Sequence, residues 1–102
     1  MRFASWNVNS IKARLEHVLD YCKANKADVL LLQELKITDE NFPRQSFEDI
    51  GWQVATHGQK TYNGVAIISK RPIEVVQIGL PDYNSDEQAR YIEAKIEGIR
   101  IA

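Results

Sequence analysis

Asp28-Val29-Leu30-Leu31-Leu32-Gln33-Glu34 is a continuous apolar run that ends on two polar residues. A run this short and this apolar suits a β-strand covered on both faces. Upstream of it, Ser10 is placed to cap a helix, and Ile11, Leu15, Val18, Leu19 and Cys22 recur at helical spacing along one face. Lys12, Arg14, Glu16 and Lys23 fall off that stripe, and the pattern ends near Asn25. Earlier still, Arg2 to Asn9 carries the β-type residues Phe3, Trp6 and Val8. Strand, helix and strand in this order predict a parallel, right-handed β-α-β unit over the first thirty-five residues.

Downstream, Lys36 to Arg44 is polar and broken by Pro43, and Gln45 to Ile50 has room for one or two helical turns before Gly51. Trp52 to Thr56 predicts a strand, and His57 to Gly64 a polar loop closing on an Asn-Gly turn. Val65 to Ser69 and Ile73 to Ile78 are β-rich; with only Lys70-Arg71-Pro72 between them, they predict a hairpin. Gly79 to Gln88 reads as an acidic loop, Arg90 to Ile96 as a strand, Glu97-Gly98 as a turn and Ile99 to Ala102 as the start of another strand. A strand signal running to Ala102 leads us to expect a truncated domain.

The whole chain has 102 residues, 44% hydrophobic and 26% charged, which excludes collagen-like and wholly disordered classes. There are 13 Lys+Arg against 14 Asp+Glu. Bulk electrostatic binding of a polyanion is therefore excluded, and any such contact needs a few placed cations or a bound metal. No apolar run reaches the roughly 18–20 residues that span a bilayer, and Met1 to Asn7 lacks the apolar core of a signal peptide. Cys22 is the single cysteine, so we expect no internal disulfide and a reducing, cytoplasmic setting.

The parallel unit carries chemical consequences. Both strands run the same way, so their carboxyl ends share one sheet edge, where open α/β sheets bind ligands. The first strand ends with Asn7 and Asn9, the second with Gln33 and Glu34. Neighbouring strands lie about 5 Å apart, close enough for a carboxylate and an amide to reach one hard cation such as Mg²⁺. The blander alternatives are a solvated Glu34 at the rim and an Asn7 bonded to backbone. Trp6 and Trp52 read as core, Cys22 as a small hydrophobe on the buried stripe, His17 and His57 as surface or loop residues, and Lys70-Arg71 as a solvated turn.

Beyond spacing, the residues resemble a known family. Ser5-Trp6-Asn7-Val8-Asn9 and Ala27 to Lys36 are similar to the opening of the exonuclease III family of abasic-site endonucleases, within the endonuclease/exonuclease/phosphatase superfamily. Gly51-Trp52, His57-Gly58-Gln59-Lys60, Tyr62 to Lys70 and Arg90-Tyr91-Ile92-Glu93-Ala94 match in the same order. The resemblance implies an α/β fold, a four-layer α/β/β/α sandwich of which this chain is roughly the first half. It also implies a Mg²⁺-dependent DNA phosphodiesterase, with Mn²⁺ able to substitute. Such an enzyme cuts duplex DNA 5′ to abasic sites and acts at 3′ ends, as a bacterial-type cytoplasmic protein on nucleoid DNA.

Carried over by motif, Glu34 and Asn7 are the expected metal and catalytic residues, with Asn9 and Lys36 organising the site around them. Lys12, the Ala13 backbone, Tyr62 and Arg90 are the expected DNA contacts. Leu35 departs from the pattern, standing where many relatives have a small hydroxyl residue. Another superfamily phosphoesterase and a non-catalytic nucleic-acid-binding relative are the rival readings. A monomer is expected for the parent protein. The isolated piece is expected to be inactive and to expose apolar sheet face around Ile92, Ile96 and Ile99, favouring self-association.

Overall fold

The computed structural model describes residues 2–58, 63–78 and 92–101. The β-α-β unit forms as the sequence predicts. Strand β1 (Phe3–Asn7), helix α1 (Ile11–Lys23) and strand β2 (Val29–Gln33) follow one another, and β1 pairs with β2 in parallel, Asn7 opposite Gln33. The helix starts at Ser10, whose hydroxyl accepts the Ala13 amide at 3.4 Å, and ends at Ala24 ahead of a left-handed Asn25. Its buried residues are Ile11, Val18, Leu19 and Cys22, four of the five stripe residues read from spacing, and the fifth, Leu15, is half-buried against the same core.

Beyond β2 come a short 3-10 turn (Asp39–Asn41), helix α2 (Arg44–Glu48) and strands β3 (Gln53–His57), β4 (Val65–Ser69), β5 (Glu74–Ile78), β6 (Ile92–Ile96) and β7 (Ile99–Ile101). They complete two sheets, one ordered β1-β2-β4-β3 and the other β5-β6-β7. The hairpin expected between residues 65–69 and 73–78 is not formed, because β4 and β5 belong to different sheets. β4 pairs antiparallel with β2 on one side and β3 on the other, with Ile67 opposite both Leu31 and Ala55. An almost wholly buried strand needs a neighbour along each edge to satisfy its backbone, and β2 and β3 supply both. Short loop length suggested a hairpin, but Pro72 lacks an amide for a ladder at that point, and the chain crosses to the second sheet instead.

Period-2 alternation sorts the central sheet into two faces. Leu30, Leu32, Ala66 and Ile68 point to the side of α1 and α2, joining Val18, Cys22 and Phe47 in the larger core. Val29, Ala55 and Ile67 point the other way, onto Ala94, Ile96 and Ile101 of the second sheet. The layers are thus helix, sheet and sheet, and among the described residues no helix covers the outer face of the second sheet. Ile96 is fully buried between the sheets, which corrects the expectation that it would be exposed, whereas Ile99 is 46% exposed. The side chain of Ile92 lies outside the described residues. No described helix is long and apolar enough to cross a membrane.

Lys70 is also more engaged than a solvated turn residue. Its Nζ lies 3.9 Å from the Asp28 carboxylate and 5.5 Å from the centroid of the buried Trp52 ring, and it donates to Asn25 Oδ1. Burial moves the Cys22 thiol from its ordinary 9.0 up to about 11, against a small opposing pull from Lys70. The unfolded chain therefore ionises at Cys22 first. Its contribution to stability should be complete below pH 9.0 and decline as pH rises through about 11. Denaturant midpoints measured across that range should fall more steeply for the natural chain than for Cys22→Ala; parallel slopes would contradict this.

Candidate functional site

The carboxyl ends of β1, β2 and β3 and the amino end of β4 meet along one edge of the first sheet. There Asn7 and Glu34 are in direct contact: Asn7 Nδ2 donates to Glu34 Oε2. The other end of the Asn7 amide, Oδ1, accepts the Asn9 backbone N–H at 3.1 Å. Asn7 is thus oriented by the loop that follows it and in turn orients the Glu34 carboxylate. Lys36 Nζ donates to Asn9 Oδ1, closing a chain of side chains across the β1–α1 and β2 loops. Glu34 and Lys36 are half-buried, and Asn7 and Asn9 are exposed.

Gln33 does not join the cluster. Its amide donates to Ser5 Oγ at 3.0 Å and to the Leu31 carbonyl at 2.9 Å, back along the sheet. Lys12, in the exposed first turn of α1, and Lys36 both line a groove of about 420 Å³ together with Ile37, Thr38 and Asn41. The Ala13 amide is taken up by Ser10 Oγ. Tyr62 and Arg90 lie outside the described residues, as do Gln59 and Lys60. His57 closes β3, half-buried, opposite Val65.

The backbone here is unusual. Asn9, Ser10, Glu34, Lys36 and Asn63 have φ of 46°, 93°, 56°, 56° and 51°, and Gly64 has 93°. The left-handed region costs a residue other than glycine about 1–2 kcal/mol, least for asparagine, and persists only where surroundings impose it. The imposing bonds are present. The Val8, Ser10 and Ile11 amides donate to Gln33, Glu34 and Leu35 carbonyls at 3.0, 2.8 and 3.1 Å.

From the opposite side, the Leu35 and Lys36 amides donate to Gly64 and Asn63 carbonyls at 3.1 and 2.8 Å. Sequence reading found the Asn63-Gly64 turn signal but not its docking onto the β2 loop. Gly58 enters that reading only within the His57 to Lys60 block; its amide donates to Asp39 Oδ1 at 2.6 Å, and a Cβ there would come within 2.8 Å of the Asp39 backbone nitrogen, a close packing that local sequence does not signal.

The donor chemistry of this edge is oxygen. One carboxylate, Glu34, stands beside the side-chain amides of Asn7 and Asn9, and among the described residues no three His, Cys, Asp or Glu gather. Such a set does not suit Zn²⁺, which takes nitrogen and sulfur ligands. It fits one hard divalent cation that keeps several waters and shares a phosphate with the protein.

A profile described as the Endonuclease/Exonuclease/phosphatase family matches residues 4–101. The exodeoxyribonuclease III of Haemophilus influenzae is 39% identical over 97 residues, covering 95% of this chain and 36% of that protein. The 3′ phosphatase NExo from Neisseria, solved with a product DNA hairpin, superposes with a TM-score of 0.95 at 43% identity, covering 98% of this chain and 39% of that one. An AP endonuclease from Archaeoglobus fulgidus gives 0.91 at 43% identity, covering 98% and 38%. This chain therefore spans well under half the length of each of them.

Proposed function

Because this chain belongs to the endonuclease/exonuclease/phosphatase family and shares the α/β sandwich fold of its nucleases, we propose that it is the amino-terminal part of a single DNA-repair nuclease domain. The reaction is Mg²⁺-dependent hydrolysis of DNA phosphodiester bonds, 5′ to abasic sites and at 3′ ends, with Mn²⁺ able to substitute. The observation that carries this reading is the contact of Asn7 with Glu34 at the carboxyl ends of two parallel strands, beside a groove lined by two lysines.

In this reading Glu34 holds the ion, Asn7 orients the carboxylate and the scissile phosphate, and Asn9 with Lys36 keeps that arrangement in place. When bound, the ion neutralises charge on the phosphate and assists the departing oxygen. Lys12 contacts DNA phosphates beside the Ala13 backbone, and Tyr62 and Arg90 are further DNA contacts on the strength of the family motif. A nearly neutral chain suffices because phosphate contacts fix position through a few cations and need no large basic field. An abasic nucleotide is also easily turned out of the duplex, having no base pair to break. The groups that activate water come from the rest of the longer protein, so the 102-residue chain alone is inactive.

The test is an abasic duplex nicking assay on the longer protein. Incision is expected in Mg²⁺, arrest in EDTA and recovery on adding Mg²⁺ or Mn²⁺. The isolated chain should show no cut at the same concentration. Undiminished incision in EDTA would rule out the metal role, and incision by the isolated chain would rule out the division of the site.

A further inference from the structure

The segment Glu34-Leu35-Lys36 is gripped from two directions. The β1–α1 loop donates its Ser10 and Ile11 amides to the Glu34 and Leu35 carbonyls at 2.8 and 3.1 Å. The Asn63 and Gly64 carbonyls accept the Lys36 and Leu35 amides at 2.8 and 3.1 Å. All four bonds are made by backbone, so they constrain the chain whatever the side chains do. Between two left-handed residues, Leu35 is fully buried and lies directly against Gly64. A Cβ at Gly64 would stand 2.9 Å from Leu35 Cβ and 3.3 Å from Leu35 Cγ, so a side chain there must push the Glu34 segment away. Gly64 also has φ of 93°.

We propose that the Asn63–Gly64 turn is a positioning element for Glu34, with Gly64 the residue that admits the close approach; this rests on reading Glu34 as the ion-binding carboxylate. The turn touches no substrate in this account. It acts by fixing the bent backbone from which the Glu34 side chain leaves, so that the carboxylate meets Asn7 before any ion arrives. Loss of groups that orient metal ligands typically costs 10–100-fold in metal affinity or activity.

Gly51 and Gly98 provide internal controls. They have φ of 85° and 81°, and an added Cβ would meet nothing within 4 Å. Alanine at either imposes the same left-handed strain without a neighbour. The experiment compares Gly64→Ala, Gly51→Ala and Gly98→Ala in the longer protein by two readouts that need no catalysis. These are hydrogen exchange of the Leu35 and Lys36 amides, and Mn²⁺ affinity from the resonance signal of the free ion.

Gly64→Ala should exchange both amides at least tenfold faster and weaken Mn²⁺ binding about tenfold. The two controls should stay within about twofold of the natural protein on both readouts while losing some thermal stability. If Gly64→Ala matches the controls, the proposal is overturned. Should Gly64→Ala fail to fold, Asn63→Gly decides, since it keeps both carbonyls and relaxes the turn. Faster exchange at Leu35 and Lys36 with weaker Mn²⁺ binding supports the proposal, and unchanged values overturn it. Glu34→Ala separates the two levels: unaltered Mn²⁺ binding there removes the reading of Glu34 itself, whereas lost binding beside an unaffected Gly64→Ala removes only the positioning role.

Discussion

An alanine at position 34 is expected to lower Mg²⁺-dependent nicking by the longer protein about 10³-fold, with the folded structure retained. The size follows from the charge. A metal ion contributes several kcal/mol to stabilising a reacting phosphate, and each 1.36 kcal/mol is a factor of ten in rate. Among the described residues no cluster of other acidic side chains stands ready to take over the ion. Glu34 is half-buried, and its backbone is held by neighbouring amides and carbonyls that a change of side chain leaves in place. Circular dichroism should therefore match the natural protein. Glu34→Gln, which keeps an oxygen acceptor for Asn7 Nδ2 but no charge, should fall nearly as far. A loss under tenfold in both variants would remove Glu34 from the reaction.

Phe47→Ala should have the largest effect on stability. Phe47 is fully buried on the short helix α2 and stacks on Phe42 with ring centroids 5.9 Å apart. A five-residue helix has almost no stability of its own, so this ring carries much of its attachment to the sheet. Truncating a buried phenylalanine costs about 3–5 kcal/mol, a large part of the roughly 5–15 kcal/mol that holds a domain together. At roughly 2–4 °C per kcal/mol for a domain of the longer protein's size, its thermal midpoint should drop by more than about 6 °C. Calorimetry on the natural and variant proteins checks this, and a drop below about 5 °C would show that α2 is not anchored through Phe47.

The parts of the fold that periodicity made legible are those with one strong pattern. The α1 stripe is buried at Ile11, Val18, Leu19 and Cys22, and the apolar run of β2 lies between two strands as a doubly covered strand should. The hairpin from β4 to β5 was misread because loop length reports only how far apart two strands are in sequence. Partner choice is set by burial, and β4 needs neighbours on both edges. Placement of Asn7 beside Glu34 was legible from parallel geometry alone. Their strapped backbone was not, since hydrogen bonds from Leu35 and Lys36 to a turn nearly thirty residues away leave no trace in local composition. Lys70 failed for a related reason: its charge suggested solvent, but Asp28 and Trp52 become its partners only once β2, β3 and β4 are side by side.

The two tryptophans occupy unequal places. Trp52 is buried, whereas Trp6 is half-buried beside Asn7, edge-on to Tyr21 with centroids 5.9 Å apart. Iodide should therefore quench the emission of one indole far more than the other. The quenchable one lies against Tyr21 on the α1 side of the first sheet, so its emission gives an unlabelled optical gauge of how firmly α1 sits on that sheet.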